Sequence, residues 1–164
     1  MAAWGADARY TRMVEQHGRS LMHLAVLLTG NHADAEDAVQ DALISVASSW
    51  NPALPLAYLR KAVANKAMDI IRKRRDIPTD EIPDAATEER GFLRQQEDES
   101  FFELVRSLPE GQREILVLRY YADLDDRTIA SVVGISAETV RSQAHRGLAK
   151  LRQLDLVTSK EGGR

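Results

Sequence analysis

The sequence predicts an all-α protein: two small helical domains, of three and four helices, joined by an acidic linker. Three observations lead there. Apolar residues recur at spacings of three and four along most of the chain, and no stretch alternates strictly between apolar and polar as a half-exposed strand would. Glycine and proline are scarce, at 9 and 5 of 164 residues, while Ala, Leu, Arg and Glu abound, so helix is favoured locally as well. Between Ile77 and Glu99 the periodicity lapses amid Pro78, Pro83 and many acids, which reads as a linker (residues 76–99) between domains at 6–75 and 100–155.

The first helix is predicted from about Ala6 to Leu28. Tyr10, Met13, Val14, His17, Leu21, Leu24, Ala25 and Leu28 keep helical spacing, and Thr29-Gly30-Asn31 breaks it. His17 and His23 read as packing or surface residues, since no carboxylate or second histidine stands at ligand spacing beside either. A second helix starts near Ala33 or Asp34, with Ala35, Ala38, Val39, Ala42, Leu43 and Val46 as its inner stripe. Its outer face carries Glu36, Asp37, Gln40 and Asp41. Acids in a first turn suit the helix dipole, which accounts for Asp34, Glu36 and Asp37 but less well for Gln40 and Asp41, a turn further on. Trp50-Asn51-Pro52-Ala53-Leu54-Pro55 then makes a rigid loop. Within it Trp50 either caps the core, the commoner use, or offers a flat platform for a base. A third helix from Leu56 to Arg75 buries Leu59, Val63, Ala67, Ile70 and Ile71. Arg60, Lys61, Asn65, Lys66, Asp69, Arg72 and Lys73 lie round the rest of it. Cations beside a rigid aromatic loop are what single-stranded nucleic acid binding requires.

The 23 residues from Ile77 to Glu99 would span roughly 80 Å if fully extended. Beyond them Phe101, Phe102, Leu104, Val105 and Leu108 make a short apolar helix. Pro109 stands where a helix start tolerates proline, and Ile115, Leu116, Leu118 and Tyr121 form a further helix. From Leu124 to Arg152 the chain reads as two helices round a tight corner. Asp125 caps the first, whose inner face is Ile129, Ala130 and Val133; Gly134 stops it; Ile135 plugs the corner; Ser136 caps the second. In the second helix Val140, Ala144, Gly147, Leu148 and Leu151 make one apolar stripe. Thr139, Arg141, Ser142, His145, Arg146 and Lys150 occupy the other side, and no acid falls between Thr139 and Arg152. Such a unit is either an αα-corner with a solvated basic face or a helix-turn-helix, whose second helix enters a DNA major groove. Arginine on that face favours DNA, being the side chain best matched to guanine edges and phosphates, while His145 also fits simple cover of the helix flank.

The net charge of −3 hides two opposed blocks. Tyr58 to Arg75 holds seven basic residues against Asp69, whereas Asp76 to Glu110 holds eleven acids against Arg90, Arg94 and Arg106. Such segregation argues for separate surfaces with separate partners. Cysteine is absent, so neither a disulfide framework nor a thiolate metal site is available, and no metal or cofactor is expected. The first residues lack the apolar core of a signal peptide and no run of about 18 apolar residues occurs, so a cytoplasmic address without membrane insertion is expected. There is no Ser/His/Asp set, no paired carboxylates in a predicted pocket and no phosphate loop, so an enzyme is not expected.

Three segments, in order, resemble the small two-domain extracytoplasmic-function group of bacterial sigma-70 factors. ADAEDAVQDALISVASSW is similar to regions 2.1–2.2, PLAYLRKAVANKAMDIIRKRR to regions 2.3–2.4, and SLPEGQREILVLRYYADLDDRTIASVVGISAETVRSQAHRGLAKLR to region 4. The resemblance implies a promoter-recognition subunit that binds core RNA polymerase. Asp34, Glu36, Asp37, Gln40 and Asp41 would dock on the clamp helices of the β′ subunit. Trp50, Arg60, Lys61, Asn65, Lys66, Arg72 and Lys73 would capture a flipped base of the −10 element and hold the separated strand. Thr139, Arg141, Ser142, His145 and Arg146 would read the −35 element. Residues from Phe101 to Tyr121 would meet the β flap, and an anti-sigma protein is a further partner known among relatives. Where the family usually has Tyr–x–Glu–Ile, this chain has Asp126-Arg127-Thr128-Ile129, and Arg127 adds a cation for a phosphate. The alternatives are a stand-alone helix-turn-helix regulator and a polymerase-binding protein that sequesters rather than initiates. The basic third helix speaks against both.

Overall fold

The computed structural model describes residues 8–51, 53, 56–76 and 99–161, with the side chains of 99–102 and 155–161 excepted. Every regular element among them is helical: α1 (Ala8–Thr29), α2 (His32–Ser48), α3 (Leu56–Arg75), α4 (Glu99–Arg106), α5 (Glu110–Leu116), α6 (Asp126–Val133) and α7 (Ala137–Glu161). A π-helical turn, Val117–Tyr121, continues α5. The chain divides into two compact units, Met1–Glu89 and Arg90–Arg164. The expected linker lies outside the described residues apart from Asp76 and Glu99, as do Pro52, Leu54 and Pro55 of the loop after Trp50.

In the first unit α1, α2 and α3 each pack against the other two. The last turns of α1 are buried all round: Leu21, Leu24, Ala25, Val26, Leu27 and Leu28 are enclosed together with the polar His23 and Thr29. Gly30 ends it at φ +80, and the Thr29 hydroxyl turns back to the Ala25 carbonyl at 2.8 Å. Asn31, read from sequence as part of a breaker, is the N-cap of α2. Its Oδ1 accepts the Asp34 N–H at 2.8 Å, and its amide donates to Asp34 Oδ2 at 2.8 Å. The helix therefore begins at His32, slightly before the expected Ala33 or Asp34.

Alanine sets the spacing between helices here. Ala35, Ala38 and Ala42 on α2 and Ala64 and Ala67 on α3 are fully buried, and α2 packs against both α1 and α3. On α3 the buried arc is wider than predicted. It takes in Ala64 and Met68 and leaves Ile70 half-buried at its edge. Arg74 clasps the three helices at one end: its guanidinium donates to the Thr29 carbonyl at 2.6 Å and lies 3.2 Å from Asp34 Oδ2. It thus satisfies one of the orphan carbonyls at the end of α1, a hydrogen bond worth about 1 kcal/mol.

In the second unit Glu114 to Leu118 are buried in an unbroken run. A regular α-helix turns such a run through more than a full circle, so one side of it would face water. The π turn changes this: the Ala122 N–H reaches the Val117 carbonyl at 3.0 Å, five residues back, and shifts the phase. Val117 and Leu118 are thereby both kept inside while Tyr120 is turned out. The chain then leaves through Asp123 at φ 57, a left-handed position that aspartate tolerates better than most residues.

Candidate nucleic-acid interface

The corner is built by its caps. Asp125 Oδ1 accepts the Thr128 N–H at 2.7 Å and starts α6. Gly134 stops α6 at φ 83, and the N–H groups of Gly134 and Ile135 both reach the Ala130 carbonyl, at 2.9 and 3.1 Å. Ser136 starts α7 by accepting the Thr139 N–H at 3.1 Å. The interior of α6 consists of Ile129 and Val132, with Val133 and Ala130 only half-buried. That corrects the expected Ile129, Ala130 and Val133; Val132 lies three residues from Ile129 and shares its side of the helix. On α7 Val140, Ala144 and Gly147 are buried, while Leu148 and Leu151 are half-buried. Gly147 is required by proximity: a Cβ there would stand 2.9 Å from Leu116 Cδ1 and 3.4 Å from Gln112 Cβ. The recognition-type helix is seated against α5 through that notch.

Thr139, Arg141, Ser142, His145 and Arg146 are all exposed. Thr139, Ser142 and Arg146 follow one line at spacings of three and four, and Arg141 with His145 follows a second. Arg127 is exposed in the first turn of α6. Its neighbour Asp126 is engaged by Arg119, 3.1 Å away, so one acid beside Arg127 is neutralised within the fold. Hydrogen bonds from the Thr128 backbone and hydroxyl, and then the charge of Arg127, hold the Asp125 carboxyl below its usual range. A carboxyl whose folded value is depressed stabilises the fold above its unfolded value and loses that contribution as pH falls through the folded one. The melting temperature of the second unit is therefore expected to drop as the pH is lowered below about 4. Asp125→Asn, followed by circular dichroism, should flatten that dependence.

On the first unit Glu36, Asp37, Gln40 and Asp41 are exposed along α2. Asp34, expected with them, is half-buried and held by Asn31 and Arg74. On α3, Lys61, Asn65 and Arg72 share one exposed side with Tyr58, which sequence reasoning did not single out. Arg72 is 3.2 Å from Asp69. Lys66 and Lys73 lie on the adjoining flank, half-buried and exposed. Arg60 is half-buried and stands in line with Val63, Ala67 and Ile71, off the lines of Lys61, Lys66, Arg72 and Lys73. Trp50 is half-buried, its ring edge-on to Tyr10 at 5.1 Å, and the Tyr10 hydroxyl donates to the Leu43 carbonyl at 2.5 Å. Burial pushes the Tyr10 pKa upward. No described helix is long and apolar enough to cross a membrane.

Comparison with known proteins follows the same division. The family model described as Sigma-70 region 2 matches residues 13–77, and that described as Sigma-70, region 4 matches residues 98–151. The chain is 30% identical over 158 residues to the RNA polymerase sigma-E factor of Streptomyces avermitilis, covering 92% of this chain and 87% of that one. It is 29% identical over 156 residues to the ECF RNA polymerase sigma factor SigE of Mycolicibacterium smegmatis, covering 87% of this chain and 60% of that one. In fold it is similar to the sigma factor RpoE of Bartonella quintana, solved with the anti-sigma factor NepR. There the TM-score is 0.60 at 23% identity, over 90% of this chain and 97% of that one.

Proposed function

The chain belongs to the sigma-70 family of RNA polymerase sigma factors, in its extracytoplasmic-function group, and from that premise we propose how its surfaces divide the work of initiation. Its function is to bind core polymerase and direct promoter-specific transcription initiation. Sigma factors are non-enzymatic initiation factors, so bond formation belongs to the polymerase. The proposed place of action is the cytoplasm, where the polymerase works.

Glu36, Asp37, Gln40 and Asp41 on α2 dock on the basic clamp helices of the β′ subunit, with Asp34 bracing the helix start through Arg74. Lys61, Asn65, Lys66, Arg72 and Lys73 hold the separated strand at the −10 element, with Arg60 closer to the core and Trp50 at the base-capturing loop. Trapping an unstacked base lowers the cost of melting by a few kcal/mol. Thr139, Arg141, Ser142, His145 and Arg146 read the −35 element, and Arg127 adds a phosphate contact. Residues 101–121 meet the β flap. RpoE of Bartonella quintana was solved with the anti-sigma factor NepR, and an anti-sigma protein is the corresponding expectation here.

The observation that carries this division is the segregation of charge onto different helices. Between His32 and Ser48, α2 has no lysine or arginine, whereas the last turn of α3 reads Arg72-Lys73-Arg74-Arg75. Acid faces a basic protein and base faces DNA. The net charge of −3 also means weak DNA binding by the free chain, since phosphate contacts dominate non-specific affinity. The region 2 match over residues 13–77 leaves a stand-alone helix-turn-helix regulator without support.

The test is run-off transcription on genomic DNA with purified chain and core polymerase. Discrete transcripts absent from core alone are the expected result, and their absence would refute the reading. In the same assay Asp37→Lys with Asp41→Lys is expected to weaken core binding at least tenfold, since like charges would face the clamp. Unchanged affinity would leave those acids a solvating role only.

A further inference from the structure

We propose that Ile44 is the apolar anchor of the face by which α2 meets core polymerase, inserting into an apolar notch on a basic surface of that partner. The inference rests on the docking role given to α2 above and goes beyond it by making the centre of the contact hydrophobic. Seven residues make two helical turns, so Ile44 stands on the line of Asp37, with Gln40 and Asp41 flanking that line in the turn between. Its side chain is 51% exposed, while Ala35, Ala38, Val39, Ala42 and Val46 on the opposite side are buried. Of the described residues, Tyr58 and Tyr120 are the other exposed large hydrophobics, and each carries a hydroxyl that water can satisfy. Ile44 offers water nothing.

A single exposed aliphatic side chain is ordinary on a protein surface. Its seat is what distinguishes Ile44. Helix-dipole stabilisation explains acids only near the helix start, and solvation explains Gln40 and Asp41, but neither calls for isoleucine among them. An apolar centre inside a polar rim is the usual anatomy of a protein–protein contact, because the rim keeps water from the residue that contributes most. The rim is acidic and α2 has no cation, so the complementary surface is basic. Charge then governs approach and register, and the buried isoleucine governs how long the complex lasts.

The experiment measures binding of the full-length chain to core polymerase across a salt series, for the parent, Ile44→Ala, Ile44→Val and the pair Asp37→Asn with Asp41→Asn. Ile44→Ala should weaken binding about tenfold at every salt concentration through faster dissociation. Ile44→Val should stay close to the parent. The acid pair should bind more slowly, with a deficit that shrinks as salt rises. Melting curves of the Ile44 variants should match the parent, since the side chain is exposed. If Ile44→Ala binds as the parent does while the acid pair is weakened, the anchor is refuted and the docking role of α2 stands. If both bind as the parent does, the docking role itself falls. If Ile44→Ala is weakened and the acid pair is not, the apolar anchor stands and the electrostatic account of its rim falls.

Discussion

Replacing Arg141 and Arg146 together by alanine is expected to abolish promoter-specific transcription while leaving core binding intact. Both side chains are exposed on α7, on the two lines that carry the proposed −35 readers. An arginine contacting a base edge or phosphate is worth about 1–3 kcal/mol. The two stand on separate lines, so their losses should be close to additive, about 2–6 kcal/mol for the pair. A deficit of that size equals the cost of about two mismatched base pairs in a binding site, at about 1–3 kcal/mol each. Gel-shift titration of holoenzyme on a mapped promoter measures it, with each single variant alongside. Helix content should be unchanged, because neither side chain supports the core. Loss of core binding with promoter contact retained would mean that α7 had been given the wrong partner.

The second large effect concerns stability. Leu118→Ala is expected to cost about 2–5 kcal/mol. Leu118 is 0% exposed and lies in the π turn, where the backbone is committed to keeping Val117 and Leu118 inside together. A unit running from Arg90 to Arg164 has about 4–11 kcal/mol in all, at roughly 0.05–0.15 kcal/mol per residue. The substitution therefore removes a large share of it. Thermal melting should show the second unit unfolding at least 8 °C earlier, at about 4–8 °C per kcal/mol. The first unit, which does not contain Leu118, should melt as before. A shift under 4 °C would mean that neighbouring side chains close over the vacancy and that the π turn is less rigid than its burial implies.

How much of this was readable beforehand depends on the range of each interaction. Asp125, Gly134 and Ser136 were legible as caps because capping acts within three residues and selects particular side chains. Asn31 was not. Thr-Gly-Asn looks like a plain break, and asparagine serves turns and caps alike. Val132 was lost to Val133 because an eight-residue helix gives too few repeats to fix its phase when valines are adjacent. The π turn has no sequence period of its own. Arg74 reads as one more cation of a basic run until Thr29 and Asp34, some 40 residues earlier, are brought beside it. The pairing of Tyr10 with Trp50 is of the same long-range kind. For the proposed interfaces, residue types and helix faces were legible on α7 and α2. The half-burial of Arg60, the bracing of Asp34 and the exposure of Tyr58 and Ile44 depended on how the helices rotate against one another.

The Arg74 clasp bears on how the first unit breathes. Helix ends are normally the first places to open, because their last carbonyls lack partners and only solvent holds them. Here the final turn of α3 is latched to the end of α1 and the start of α2, so opening it means releasing two neighbours at once. Amide protons near Arg74 should then exchange with solvent as slowly as those of the helix middle, and fluctuation should concentrate at the Leu56 end, beside the loop that follows Trp50. A charged exit, which by itself would be expected to fray, thus becomes the held end of this helix.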